Sequence, residues 1–450
     1  MTKTLVRHRD FALLCAGMTV SLLGDGIYLV AIAWLVYDLS NSPTALSLVG
    51  VAWSLGMVLC LLPGGVASDR LDRRLVMVAA DLVRLAAVLA IGLLAVTDAV
   101  QVWHIAGLAL VYGAGEAFFG PSFSGLLPQL VPKDELVAAN GLQEVIRPGA
   151  MRLAGPALGG VLVAGFGAGT ALLVDAGTFL VSIACVLAIR TSGRARADAA
   201  PGRMSLSAAG ADVREGLRFV RSQAWLWATL VAACISILCF YGPVEVLLPY
   251  LIRNDLGRPA GDFGLVLAAT GAGAIVGATL MSRGGLPRRR LRAMYLCWGL
   301  GLLPISGYAV ATTTWQLMAC SALFGAGMSG GMVIWATLMQ TRVPSHMLGR
   351  VTSLDWFVSI GLTPVSFALT APLAALAGQD ATLVGAGVIG AVATLALFYG
   401  IEDVRRDAEL FPERAPDAAA LEQRGEVVGE ARVADVRSVH PHDLDAFSRR

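Results

Sequence analysis

An apolar run about one bilayer wide ends at Ser68, a knot of charge follows (Asp69, Arg70, Asp72, Arg73, Arg74), and a second apolar run begins at Leu75. Such a knot cannot sit in hydrocarbon, because each ionised side chain there costs several kcal/mol, so it marks a very short loop between two membrane-spanning helices. The same alternation recurs along most of the chain. Blocks of roughly 20 apolar residues, in a sequence that is 56% hydrophobic and 15% charged, exclude an ordinary soluble globular protein. Helices and closed barrels are the structures that satisfy their backbone in lipid, and the ten-residue alternation of barrel strands is absent. The fold class is therefore an all-α polytopic membrane protein.

Twelve candidate spans follow from the apolar blocks: 11–38, 45–67, 75–96, 102–127, 137–165, 169–190, 223–251, 263–282, 292–311, 315–339, 351–377 and 381–401. Arg147, Arg152 and Asp355 interrupt the fifth and eleventh. Positive charge sorts the connections into two sets. One set carries Lys3, Arg7 and Arg9; Arg70, Arg73 and Arg74; Lys133; the arginines between 190 and 221; those between 283 and 292; and Arg342 with Arg350. The alternate loops hold only Arg253 and Arg258. By the positive-inside rule the basic set is cytoplasmic, which predicts an even number of spans and both termini inside the cell. No cleavable signal peptide is expected, since the first apolar run is too long for one. The expected location is the cytoplasmic (inner) membrane of a bacterium.

The arginine-rich connection 191–222, broken by Pro201, Gly202 and Gly210, divides six spans from six. The expected organisation is a six-helix half over 1–190, a cytoplasmic linker over 191–222, a second half over 223–402, and a mostly flexible cytoplasmic tail over 403–450. A weak internal repeat agrees with it. Tyr112-Gly-Ala-Gly115 matches Phe324-Gly-Ala-Gly327, and at the same offset Val131-Pro132 matches Val343-Pro344, Leu136 matches Leu348 and Gly65 matches Gly277. Two parallel six-helix repeats with a site between them is an architecture expected of a secondary transporter.

Gly65-Val-Ala-Ser-Asp69-Arg70-Leu-Asp72-Arg73-Arg74 resembles the signature of the loop between helices two and three in the major facilitator superfamily, Gly-x-x-x-Asp-Arg/Lys-x-Gly-Arg/Lys-Arg/Lys. It departs from that pattern at Asp72, where glycine is usual. Gly155-Pro156-Ala-Leu-Gly159-Gly160 resembles the antiporter motif of drug exporters. Leu23-Gly24-Asp25, Glu116-Ala-Phe-Phe-Gly-Pro121, Leu127-Pro-Gln-Leu-Val-Pro132 with Ala139-Asn140, and Asp175-Ala-Gly-Thr-Phe179 are similar to the drug:proton antiporter-like subgroup of macrolide-efflux and enterobactin-exporter proteins. The resemblance spans about residues 1–400. It implies the twelve-helix major facilitator fold, export of a small amphipathic molecule (a drug, an antibiotic or a siderophore-like metabolite) and protons as coupling ion. It also makes Asp69, with Gly65, Arg70, Arg73 and Arg74, a conformational latch against the start of span eleven near Gly349-Arg350. A carboxylate there meets the unpaired N–H groups of a helix N-terminus. Met281 stands at the equivalent position of the second half, so the latch is one-sided. The alternative reading of the knot is a solvated, topogenic turn.

Ionisable residues inside spans point to a site, because each must line a cavity or find a partner. Asp25 and Glu116 fall mid-span in the first and fourth helices and are the leading candidates for reversible protonation or for holding a cationic substrate. Arg147 is placed to pair with Glu116 or to meet an anionic substrate. Arg152 is open between reaching Asp25 and snorkelling into a cavity. Asp175 and Glu245 are open between cavity and membrane interface. Fixed ion pairs that only hold helices together are the structural alternative for each. Asp81 and Arg84, at i and i+3, read as a mutual pair, and Asp355, taken as one turn into span eleven, as a complement to that helix's N-terminal dipole. Gly155, Pro156, Gly159 and Gly160 suit a bent, closely packed gate helix, or ordinary close packing.

The remaining classes are weakly supported. The chain carries no phosphate-binding Gly-x-x-x-x-Gly-Lys-Ser/Thr loop, its five histidines and seven cysteines make no metal-ligand pattern, and no enzyme motif is present. No cofactor, metal or nucleic-acid partner is expected, and a monomer is. Uptake or uniport by the same fold, and a membrane sensor that does not transport, are the alternatives.

Overall fold

The computed structural model describes residues 8–132, 135–190, 206–283, 287, 289–402 and 404–406. All regular elements among them are helical: α1 (Arg9–Ser40), α2 (Pro43–Arg70), α3 (Arg73–Val96), α4 (Val102–Leu126), α5 (Leu136–Arg147), α6 (Gly155–Ala188), α7 (Leu206–Ser222), α8 (Ala224–Gly242), α9 (Ala260–Arg283), α10 (Arg290–Leu302), α11 (Pro304–Tyr308), α12 (Thr314–Arg342), α13 (Ser345–Gly361), α14 (Thr363–Ala377) and α15 (Gln379–Gly400), with short π and 3₁₀ segments and the single α-turn Leu248–Tyr250 between some of them. Ten stretches are long and apolar enough to cross a membrane. The 51-residue stretch Ala138–Ala188 is twice the length a crossing needs. It reverses at Gly167, whose φ of 81° and ψ of 162° only glycine adopts freely. The two arms of α6 accordingly run in opposite senses along α1: Gly155 faces Gly26 and Gly159 faces Ile27 and Val30, while the second arm places Asp175 at Gly24 and Cys185 at Gly17. Helices α10 and α11, interrupted where Pro304 removes a backbone donor, form one further crossing. Counting each arm once, the described residues hold twelve helical segments of about the length a crossing needs.

Local chemistry sets the helix ends. Asp72 is the N-cap of α3, its carboxylate accepting from the Arg74 N–H at 3.0 Å; the departure from the loop signature thus serves to start the next helix. Arg73 donates to the carbonyls of Ser68 (3.2 Å) and Gly125 (2.7 Å), and Arg74 to that of Leu187 (3.1 Å), so the knot pins helix ends together as well as carrying charge. Helices α4 and α12 begin with the same reciprocal capping box, Gln101 with His104 and Thr313 with Gln316, at the constant offset of the internal repeat. The repeat extends to packing. A Cβ at Gly113 would lie 2.0 Å from the Trp53 carbonyl, and one at Gly325 would lie 2.1 Å from that of Thr270, so α2 against α4 and α9 against α12 are the same backbone-close pairing.

Three hydrophobic cores define the shape. The largest draws on both repeats, from Ile27–Tyr37 and Ala87–Tyr112 to Val244–Phe263 and Leu383–Ala391, and lies toward the end of the molecule away from the arginine-rich loops. The other two occupy the arginine-rich end, one built wholly from residues 11–189 and one wholly from 220–404. The two halves are therefore joined at one end and separately packed at the other, and the cleft between them opens toward the basic face. Polar contacts reinforce the joined end. Tyr37 donates to the Val246 carbonyl at 2.6 Å in a buried site, Asn41 donates to Asn254 at 2.9 Å, and Arg253 pairs with Asp38. At the same end Gly160 of α6 packs on Ala260, Gly261 and Gly264 of α9. On the basic side α7 lies against α13, where Arg350 meets Glu215 at 3.0 Å.

Candidate functional site

Four helices of the first half bring charged and aromatic groups to one point deep in the protein. Asp81 is fully buried on α3 and pairs with Arg84 one turn later, as the i, i+3 spacing predicts; its second oxygen accepts from the Ser182 hydroxyl at 2.7 Å. Arg84, 2% exposed, lies between the ring faces of Phe119 (4.8 Å) and Phe179 (4.7 Å), and its other terminal nitrogen stands 3.6 Å from Asp25 of α1. Asp25 also accepts from the Tyr112 phenol at 2.6 Å, and Tyr112 in turn stacks on Tyr28 at 4.6 Å. One arginine is thus shared by two carboxylates, one sealed and one 12% exposed. Glu116, half-buried on α4 one turn beyond Tyr112, accepts from the Trp53 indole N–H at 3.0 Å. Trp53 sets its edge against Phe367 of α14, so Glu116 is one side chain away from the opposite half.

Asp175 belongs to this cluster rather than to the membrane interface. It is 0% exposed and sits eight residues beyond the reversal at Gly167, about 12 Å into the helix at 1.5 Å per residue. With Asp25, Asp81 and Glu116 it makes four carboxylates around Arg84, in a setting where an uncompensated charge costs several kcal/mol.

A second charged group spans the cleft. Pro148–Ala154 is a π-helical segment leading into Gly155-Pro156, and it carries Arg152; Pro243–Leu247, another, continues α8 and carries Glu245. The backbone of Arg152 packs against Gly271 of α9, and its charge acts on Glu245 and Tyr241. Arg152 therefore faces the opposite half, while Asp25 takes Arg84. Glu245 is half-buried within the protein. Arg147 is exposed and forms no ion pair within 4 Å among the described residues; it acts on Glu116 only from farther away. Asp355 differs from expectation as well. Helix α13 starts at Ser345, so Asp355 is mid-helix, accepting from Trp335 at 3.2 Å, and the dipole reading does not hold.

In the loop motif, Asp69 is exposed and makes no hydrogen bond or ion pair among the described residues. In the Gly-Pro motif, a Cβ at Gly155 would lie 2.8 Å from Gly26 Cα, and one at Gly160 would lie 3.1 Å from the Gly261 and Gly264 Cα atoms, so one helix touches α1 and the other half through bare backbone.

The family profile described as transmembrane secretion effector, a division of the major facilitator superfamily, matches residues 3–428. The chain belongs to that family. The multidrug efflux pump Tap of Mycolicibacterium fortuitum is 30% identical over 387 residues, covering 83% of this chain and 90% of the relative. Macrolide efflux protein A of Streptococcus pyogenes is 23% identical over 371 residues, 80% and 88% of the two chains. Among solved structures, the nucleoside transporter NupG superposes with a TM-score of 0.69 at 9% identity (86% of this chain, 100% of that one), and a bacterial homologue of the iron transporter ferroportin in its inward-facing state with 0.67 at 15% identity (86% and 98%). These structures share the major facilitator fold with the chain. It is a multi-pass membrane transporter of small molecules and not an enzyme.

For this secretion-effector chain, sequence reasoning found the charged members of the cluster and missed the partners that hold them: Trp53, Tyr112 and Ser182. Tyr112 carried a signal, since it opens the repeated Tyr/Phe-Gly-Ala-Gly segment; Trp53 and Ser182 carried none.

Proposed function

We propose that this chain is a proton-driven exporter of small amphipathic molecules, drugs or drug-like metabolites, in the cytoplasmic membrane. The observation that supports it most is the arrangement of Asp25 and Glu116. Both are partly accessible, both are held by a neutral N–H or O–H donor, and Asp25 shares Arg84 with a sealed carboxylate. A proton arriving on Asp25 releases its hold on Arg84 and leaves the arginine to Asp81. Glu116 sits against Trp53 at the contact with the other half, so its charge state is felt where the halves move. Arg152 and Glu245 add one charge of each sign across the cleft, suited to a substrate that carries a cationic group on an apolar body. The names of the relatives, multidrug and macrolide efflux pumps, support the export direction.

With the arginine-rich face and both termini cytoplasmic, the conformation described is inward-open. The halves, 1–190 and 223–402, rock about the cluster, joined by the linker 191–222; the tail 403–450 lies almost entirely outside the described residues. In the outward-open state Asp69 moves to the N-terminus of α13; here it makes no hydrogen bond or ion pair among the described residues. The working unit is a monomer. The test is flux. In proteoliposomes of purified protein, an imposed proton gradient is expected to drive accumulation of a labelled macrolide or a fluorescent organic cation against its own gradient. Flux down the substrate gradient that ignores the proton gradient would make it a uniporter, and no flux of bound ligand would favour a sensor.

A further inference from the structure

We propose that the acidic segment 407–430 of the tail docks on an arginine stripe of the linker helix α7. At 3.6 residues per turn, Arg214, Arg218 and Arg221 fall within about 60° of arc on that helix. All three are exposed and make no hydrogen bond or ion pair among the described residues. Leu217, 40% exposed, lies beside them. The opposite side of the helix is taken: a Cβ on Gly216 would lie 3.2 Å from Leu354 and 3.4 Å from the Arg350 Cβ of α13, and Val220 is buried. Several other cations on this face are engaged. Arg73 and Arg74 hold carbonyls, Arg350 pairs with Glu215, and Arg406 with Glu402. Like charges one turn apart repel, and an acidic partner laid along the stripe relieves that repulsion.

Charge, length and point of origin identify the occupant. Segment 407–430, outside the described residues, carries seven acidic residues against two arginines. Glu422, Glu426 and Glu430 recur every four residues, close to the interval of the arginines on α7. The root of the tail is fixed. Val404, 0% exposed, is buried in the same core as Val220 of α7 and Met347 and Val351 of α13, so the tail starts beside the helix it is to cover. The stretch from Arg406 to Glu422 reaches up to about 50 Å when extended, which puts the whole stripe within range. The tether also keeps the acidic segment at high local concentration, so individually weak surface pairs suffice. Docked there, the tail reinforces the seat of α7 on α13 beside the Arg350–Glu215 pair. Docking requires neither proton coupling nor export, so it can fail while the transport reading stands.

The test is cross-linking in the full-length chain, freed of its seven cysteines and reconstituted in zwitterionic lipid. Arg218→Cys and Glu426→Cys are introduced together and treated with a short bismaleimide. An intramolecular cross-link is expected at low salt, several-fold stronger than that of a control pair, Leu71→Cys with Glu426→Cys, whose Leu71 position is 58% exposed on the same face of the first half. The cross-link should weaken at high salt. Arg214→Glu with Arg221→Glu should abolish it, and adding Glu422→Arg with Glu430→Arg should restore it. Equal yields from the two pairs, or a yield indifferent to salt and to charge reversal, overturn the proposal. A cross-link between chains assigns the stripe to a second copy, and one lost when anionic lipid is added assigns it to headgroups; either result overturns it as well.

Discussion

Replacing Arg84 with methionine tests whether the cluster is organised around that side chain. The guanidinium is 2% exposed, bonds the fully buried Asp81, reaches Asp25 at 3.6 Å and lies between Phe119 and Phe179. Its removal leaves Asp81 buried with one hydroxyl partner, Ser182. Losing one member of a buried pair costs about 3–5 kcal/mol, because the other charge stays uncompensated. The cation–aromatic contacts add roughly 0.5–2 kcal/mol each, partly returned by the packing of methionine. Unfolding of such a protein in detergent is irreversible, so the assay is the rate of thermal inactivation at fixed temperature. At about 1.4 kcal/mol per tenfold, Arg84→Met should unfold on the order of 10²-fold faster or more. Adding Asp81→Asn should recover much of the loss, since a buried pair replaced as a unit by neutral groups is often tolerated. A single variant within about tenfold of wild type, or a double variant worse than the single, would refute the account of the cluster.

Three further expectations follow from the packing. Gly264→Val places a Cβ 2.4 Å from the Pro156 carbonyl and 2.8 Å from Gly160 Cα, so it should wedge the joined end apart. In a cysteine-free background, labelling of Ala260→Cys, 2% exposed here, should then rise several-fold at a cost of about 1–3 kcal/mol, and unchanged labelling would count against the assignment of that end as the closed one. Asp72→Ala should cost about 1 kcal/mol through loss of the α3 N-cap. Asp69→Asn, at an exposed position without a bond among the described residues, should stay within about 0.5 kcal/mol yet enrich the form open to the basic face, read by thiol accessibility in the cleft. Trp53→Phe keeps the ring against Phe367 but removes the donor to Glu116. The pH profile of export should then change, and an unmoved profile would mean that Glu116 is not titrating during transport.

Much of the fold was legible because a bilayer imposes lengths and forbids charge, so Ser68–Leu75 alone implied two crossings and a loop. The Asp81–Arg84 pair was legible from helical spacing. What was not legible depended on where helices turn and meet. Asp175 is open in the sequence between cavity and membrane interface; the structure buries it against Gly24, which has no side chain to hold α1 away. Asp355 read as N-terminal because the polar stretch Ser345–Arg350 looked like a loop, whereas Arg350 pairs with Glu215 of the linker helix and the stretch is helical. Arg152 acts on Glu245 from one π segment to another, and π segments leave no clear trace in composition.

In the proposed mechanism protons drive export through Asp25 and Glu116. Its most direct test is substrate-coupled proton movement in proteoliposomes, with a pH-sensitive dye inside and a macrolide gradient imposed. Wild-type protein should move protons opposite to the substrate, and Asp25→Asn and Glu116→Gln should each abolish that movement while still binding the macrolide. Full proton-coupled export by both variants would contradict the account.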